Sequence, residues 1–354
     1  MIDSSRLFGL LIAATLVLGA GAGAADAATK TVYAGPNAKL PEEQSLNDFY
    51  RRTVTIRQGD SVSWAFRGFH TIAFPARGKQ APPFLSPDAA AKYTAINDGA
   101  GAPFWFNGQP RLQLDPRSAF PQGGKLHASN RLTGSGLPLA EGEPKPYRLR
   151  FDRRGTFSYV CTVHPGMKGK VKVIGRGAAV PSAAQDRRAA KRQLDQQLAE
   201  VKRLDRFQAP AATVHGGSDK GNVALLKFFP TSVTIAAGQS VQFVVQGRQE
   251  PHTFSFGPEA YLKQIVDAQI APVPGSGPPP ILALDARALL PSDPPPALPP
   301  HTGANHGNGF LSTGILGRFP GSRGTSTAIQ FTTAGSFPFI CLIHPEMKAT
   351  VVVQ

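Results

Sequence analysis

Residues 159–173 read YVCTVHPGMKGKVKV, and residues 339–353 read FICLIHPEMKATVVV. Each stretch places a histidine three positions after a cysteine and a methionine three positions further on. The residues are Cys161, His164 and Met167, then Cys341, His344 and Met347. The chain of 354 residues holds only two cysteines and three methionines, and the remaining methionine is Met1, so this pattern uses every cysteine available. A thiolate, an imidazole and a thioether so close together make a soft, mixed N/S donor set, which suits copper cycling between Cu(I) and Cu(II). A further donor lies well upstream in each copy. His70 sits in RGFHTIAFP and His252 in QEPHTFSFG, 91 and 89 residues ahead of their cysteines.

The repeat extends outward from these stretches. TVTIRQGDSVSWAF (53–66) matches SVTIAAGQSVQFVV (232–245); each alternates apolar and polar residues around a glycine turn, the pattern of two half-buried strands. YRLRFDRRGTFSYVC (147–161) matches TAIQFTTAGSFPFIC (327–341), RLQLDPRSAFP (111–121) matches ILALDARALLP (281–291), and NRLTGSGL (130–137) matches NGFLSTGIL (308–316) more loosely. A correspondence over most of both halves argues for an internal duplication of one strand-rich unit. Trp64 reads as strand core. Residues 76–110 and 121–146 read as loop insertions, with a short strand at RLQLDP between them. The proline-laden 270–307 is expected to form neither a central strand nor a helix interior.

Between the units, residues 181–208 contain no glycine and a single proline, Pro181, at their start. Leu194, Leu198, Val201, Leu204 and Phe207 recur at helical spacing. A linking helix of about 20 residues is expected, its apolar stripe buried on a domain surface or in self-association. The expected organisation is a signal peptide at 1–28, a first unit at 29–176, a helical linker at 177–215 and a second unit at 216–354. The leader reading rests on Arg6, the apolar run LFGLLIAATLVLGAGAGA and the small-residue Ala25-Asp26-Ala27, which together imply a periplasmic or secreted protein with no later membrane span.

Charge divides the halves. Residues 28–180 hold 22 Lys/Arg against 10 Asp/Glu, a net of +12, whereas residues 216–354 hold 8 against 7, a net of +1, out of +15 for the chain. A basic first half suits docking of an acidic redox protein. No recognition helix, zinc finger or basic–aromatic RNA motif accompanies the charge, which argues against nucleic acid.

Each unit resembles a cupredoxin, the blue-copper β-sandwich domain. The pattern carrying the resemblance is one upstream histidine followed by Cys, His and Met in the loop before the last strand, and the two-residue gaps around each second histidine look like an amicyanin- or plastocyanin-type ligand loop. The resemblance implies an all-β protein: two tandem cupredoxin-like Greek-key β-sandwiches joined by an α-helical linker. It also implies two type 1 coppers per chain, one held by His70, Cys161, His164 and Met167 and the other by His252, Cys341, His344 and Met347. One-electron transfer follows from such sites. The rivals are a multicopper redox enzyme, nitrite reductase-like or oxidase-like, and a copper-binding or storage module without turnover. Against the enzyme, neither cysteine has a histidine neighbour, and only His127, His215, His301 and His306 remain outside the ligand sets. The first three of these regions read as loop or linker, and His306 likewise as a surface residue. Phe69, Phe74, Phe157 and Tyr159 in the first unit, and Phe254, Phe256, Phe337 and Phe339 in the second, are expected to shed water from the coppers.

Overall fold

The strand alternation read from the sequence organises both halves. In the computed structural model, which describes residues 27–139, 142–319 and 322–354, each half forms two sheets packed face to face. The expected signal segment lies outside the described residues but for its last two positions.

In the first half, one sheet runs Tyr147–Arg150, Ser61–Phe66, Thr29–Ala34, Phe49–Tyr50. Its partner runs Thr53–Arg57, Lys168–Ile174, Gly155–Val160, Ala73–Phe74, Thr133–Gly134. The second half repeats the second sheet as Ser232–Ile235, Lys348–Val353, Gly335–Ile340, Ser255–Phe256, Leu311–Ser312. Period-two side-chain alternation sorts the strands: in Lys168–Ile174 the buried positions are Gly169, Val171 and Val173, and in Lys348–Val353 they are Ala349, Val351 and Val353. Aromatic rings fill the space between sheets. Trp64, fully buried, meets Tyr159 edge-on with centroids 5.3 Å apart; in the second half Phe243 and Phe254 stand at 4.8 Å. The fold is therefore a tandem pair of β-sandwiches joined by a helix.

Two features tie the halves together. The strand Gln44–Leu46 belongs by sequence to the first half, yet it is the edge strand of a second-half sheet, pairing with Val223–Phe229. The insertions, expected to be loops, differ from that reading. Leu85–Lys92 and Pro110–Leu114 from the first half form one four-stranded sheet with Ile270–Pro272 and Leu282–Leu284 from the second. The stretch 270–307, expected to form neither a central strand nor a helix interior, supplies an inner strand of this sheet, Leu282–Leu284, and a short helix, Ala286–Leu289, because its prolines at 278–280 and 294–296 fall between elements and Pro272 sits on the outer strand, where a missing N–H costs no ladder bond. Above this sheet Tyr93, Phe104, Phe106, Leu262, Ile265 and Phe310 make a core of their own from both insertions.

The linker helix spans Ala183–Leu204, opened by a capping box between Ser182 and Gln185. Its stripe of Leu194, Leu198, Val201 and Leu204 packs, with Phe207, on Leu46, Val223, Leu225 and Phe229, so the apolar face is buried within the chain. Its polar side also reaches the first half: Gln197 bonds Tyr50 and Asp48, and Gln193 Nε2 donates to the Phe49 carbonyl at 3.0 Å. Among the described residues no helix is long and apolar enough to cross a membrane.

Candidate metal centres

The loop between each last strand pair is drawn tight by its own backbone. The Cys161 N–H donates to the Met167 carbonyl at 3.0 Å and the Met167 N–H to the His164 carbonyl at 3.2 Å; Cys341, Met347 and His344 repeat both bonds at 3.1 and 2.9 Å. The cysteine and histidine are thereby turned toward the interior, and Met167 and Met347 are fully buried beneath the loops.

The upstream histidine arrives from the other side, and a threonine fixes its loop against the ligand loop. Thr71 Oγ1 accepts from the Thr162 N–H at 2.8 Å, while the Thr71 N–H donates to Cys161 Sγ at 3.4 Å. Thr253 does the same, accepting from the Leu342 N–H at 2.8 Å and donating its own N–H to Cys341 Sγ at 3.4 Å. A backbone N–H aimed at a thiolate is an outer-sphere contact that tunes a metal–thiolate bond.

In the first cluster His70 Nδ1 and His164 Nδ1 stand 3.1 Å apart, with Cys161 Sγ 3.6 Å from the latter. In the second, His252 Nδ1 and His344 Nδ1 are 3.2 Å apart and Cys341 Sγ lies 3.8 Å from each. Donors about 2.0–2.3 Å from one ion in a near-trigonal array stand about 3.5–4 Å from one another, so both clusters have the span of a three-donor metal seat. Among the described residues these are the two groups of three or more Cys, His or acidic side chains that converge in this way. Burial pushes the Cys161 and Cys341 thiols up, but hydrogen bonds and charge from the paired histidines outweigh it and hold both well below the ordinary thiol value. A thiolate, two imidazoles and a buried methionine are the donors of a type 1 blue-copper site, and each cluster can coordinate one copper ion. The two sets are mononuclear and separate, the geometry of single-copper electron-carrier sites rather than of a catalytic multi-copper cluster.

The other nitrogen of each histidine faces something different. His70 Nε2 lies where a Cβ on Gly35 or Gly68 would come within 3.0 Å, and His252 Nε2 where a Cβ on Gly217 would come within 2.6 Å. His164 and His344 instead point outward at one shared residue. Glu250 Oε1 is 3.5 Å from His164 Nε2, and Glu250 Oε2 is 3.6 Å from His344 Nε2. Asn47 Nδ2 at 2.6 Å and Ser45 Oγ at 3.1 Å donate to Oε1. Burial pushes the Glu250 carboxyl up, but the charges of His164 and His344 prevail and hold it well below the usual carboxylate range. Burial likewise lowers the His344 ring, but Cys341 and Glu250 outweigh it and raise it well above the ordinary imidazole value. Glu250 is the functional residue that the sequence reading missed. Its one signal was position: an acidic side chain two residues ahead of His252, in a half with few acids. The face where the two ligand loops meet borders a cavity of about 730 Å³ whose lining includes His70, His164, His344 and Glu250.

Several secondary readings change. Phe69 is 40% exposed and leans on Phe84 at the cavity rather than covering a metal seat, whereas Phe74 and Tyr159 are buried. His127 and His301 do not stand free at the surface: the first is half-buried in its loop and the second is buried. Each sits among three phenylalanines: Phe74, Phe151 and Phe157 around the first, Phe256, Phe331 and Phe337 around the second. His215 is not linker; it is buried in the strand Thr213–Lys220 against Phe207. His306 bonds Asp98 at 3.1 Å and Asp293 at 3.2 Å through opposite ring nitrogens, an ion-pair arrangement that cannot chelate one ion.

No family model matches the chain, and no curated protein matches it. Among solved structures, amicyanin from Paracoccus versutus (Thiobacillus versutus) aligns at 19% identity and a TM-score of 0.22, over 43% of this chain and 88% of that one. Oxidised plastocyanin from Dryopteris crassirhizoma aligns at 18% identity and a TM-score of 0.20, over 40% of this chain and 99% of that one.

Proposed function

We propose that this chain is an exported, tandem cupredoxin that carries electrons one at a time through two type 1 copper centres. The first is held by His70, Cys161, His164 and Met167, and the second by His252, Cys341, His344 and Met347. The observation that carries the reading is the convergence, twice, of two imidazole Nδ1 atoms and one thiol on a single buried point. Copper supplies the reversible one-electron step between Cu(I) and Cu(II). The protein's part is to hold the donors nearly fixed, so that little rearranges when the charge changes. Threonines 71 and 253 brace the two loops of each cluster, and the buried methionines complete a soft donor set. His70, His164 and His344 line the cavity, the natural route by which an electron enters or leaves.

The organisation that goes with this function is a removable leader at 1–28, a first unit from residue 29, a linker built on the helix Ala183–Leu204 and a second unit that opens with the strand Thr213–Lys220, with delivery to the periplasm or medium. The partner that fits the +12 first half is an acidic redox protein. Its association rate should fall steeply as added salt shortens the Debye length from about 10 Å at 0.1 M.

Metal analysis beside electron spin resonance on the oxidised full chain tests the central claim. The expected result is two coppers per chain and two thiolate-to-copper bands, with Cys161→Ser and Cys341→Ser each removing one. One copper, a zinc-only protein, or turnover dependent on additional bound copper would overturn it.

A further inference from the structure

We propose that Glu250 joins the two clusters into a single two-centre unit, in which an electron passes from one copper to the other across the path His164–Glu250–His344. The inference rests on the electron-carrier reading and goes beyond it, since two independent carriers on one chain would need no such path.

The geometry is specific. Each of these imidazoles turns Nδ1 to its own cluster and Nε2 to the carboxylate, so each conjugated ring spans the distance from donor position to bridge. One oxygen of Glu250 faces each ring, at 3.5 and 3.6 Å, leaving two short non-bonded gaps along the whole path. The carboxylate is held in place from the other half of the chain, through Asn47 and Ser45, and Pro251 follows it directly. The Glu250 side chain is only 8% exposed. The halves that carry the two rings are locked by the shared four-stranded sheet and by the common core of Tyr93, Phe104, Phe106 and Phe310. A buried acid is costly unless paired, and both of its oxygens here are given to ligand histidines rather than to a lysine or arginine. The duplication does not account for it either: the position two residues before His70 is Gly68.

The step balances without proton or atom transfer. With copper held in both clusters, the one electron lost at one centre would be the electron gained at the other, so oxidation and reduction would balance. The charge of the pair would be unchanged, and Glu250 would exchange no atom with either centre. Its negative charge favours the more highly charged metal in both clusters equally in kind, because each ring faces one of its oxygens.

The test uses the full chain loaded with copper. Potentiometric titration read by spin resonance gives both midpoint potentials, and flash reduction with less than one electron per molecule gives the redistribution between centres. In the parent protein the redistribution rate should be independent of protein concentration. Glu250→Gln removes the anion and keeps the shape, so both potentials should rise together and redistribution should slow severalfold. Glu250→Asp keeps the charge but withdraws the carboxylate by one methylene, so redistribution should slow while the potentials move little. If the glutamine variant fails to fold or to hold copper, the aspartate variant's rate decides. A redistribution rate that scales with concentration, or one unchanged in both variants, overturns the proposal. So does a potential that shifts in only one centre of Glu250→Gln. A parent protein lacking two blue centres would instead defeat the electron-carrier reading itself, before Glu250 is in question.

Discussion

Gly35 and Gly217 occupy the same register in the two units, the first just past the end of the strand Thr29–Ala34 and the second at a bulge within Thr213–Lys220, and both lie in the left-handed region, with φ of +88° and +70°. Each is the floor under an upstream histidine. A Cβ on Gly217 would stand 2.6 Å from His252 Nε2 and 3.2 Å from the Leu225 carbonyl. Gly217→Ala therefore combines a left-handed alanine, about 1–2 kcal/mol, with displacement of a ligand ring from its cluster. The expected outcome is a lower denaturant midpoint and loss of the second thiolate-to-copper band, with the first band retained. A variant with both bands and an unchanged midpoint would show that the ring has room to spare. Such glycines were not legible in the sequence, and neither was Glu250. The Cys–His pairs of the two clusters were, because loop spacing is local: Cys161 and His164, like Cys341 and His344, lie on one turn, and their chemistry is readable without knowing the fold. What faces the far side of a ligand depends on strands that meet only in three dimensions, as Ala34 beside Phe66 or Asn47 beside Glu250.

At the scale of elements, the periodic segments were readable and the insertions were not. The helix expected over 181–208 forms at Ala183–Leu204, because its stripe and its Ser182 cap both lie in the local sequence. Leu85–Lys92, by contrast, reads LSPDAAAK, with a proline and three alanines and no β-branched residue. It is a strand only because Pro110–Leu114 lies beside it and Arg111 pairs with Asp88 at 2.7 Å. Tertiary pairing overrides weak propensity there. The helix also explains why the linker is not a flexible tether. Val201, 7% exposed, enters the pocket between Leu46, Val223 and Leu225, which joins a first-half strand to second-half ones. Val201→Asp places a charge with no partner in that contact and should destabilise the protein by about 1–3 kcal/mol. Hydrogen exchange should then show lost protection along 183–204 with both blue bands intact. Unchanged protection of the helix would mean that its polar contacts alone, through Gln193 and Gln197, hold it down.

At the scale of the whole molecule, the two halves are fastened by an ion-pair clasp whose pH response can be given a sign. Asp98 comes from the first-half insertion, and Asp293 and His306 come from the second half. The hydrogen bond that His306 donates to Asp293 is the chief cause raising the His306 ring above its ordinary value, against burial and with help from Asp98. Burial pushes Asp98 and Asp293 up, but hydrogen bonds, including those from His306, prevail and lower both. A raised histidine contributes its full stability below the unfolded value of about 6.5 and loses it as pH rises through the folded value; the depressed aspartates lose theirs only as pH falls through theirs, below about 3.9. Burial acts oppositely on His127 and His301, lowering each to about 4. Both must stay neutral among their phenylalanines, so stability is withdrawn as pH falls from about 6.5 towards 4. His306 therefore withdraws unfolding free energy above about pH 6.5, and His127 and His301 withdraw it below that value. His306→Asn should flatten the alkaline limb and leave the acid limb in place. His301→Phe should weaken the acid limb and leave the alkaline one. Denaturant titrations of the metal-free chain across pH 4 to 9 read both limbs directly. If His306→Asn changes the slope only below pH 6, the clasp does not carry the alkaline limb, and the halves are held by the shared sheet and its core alone.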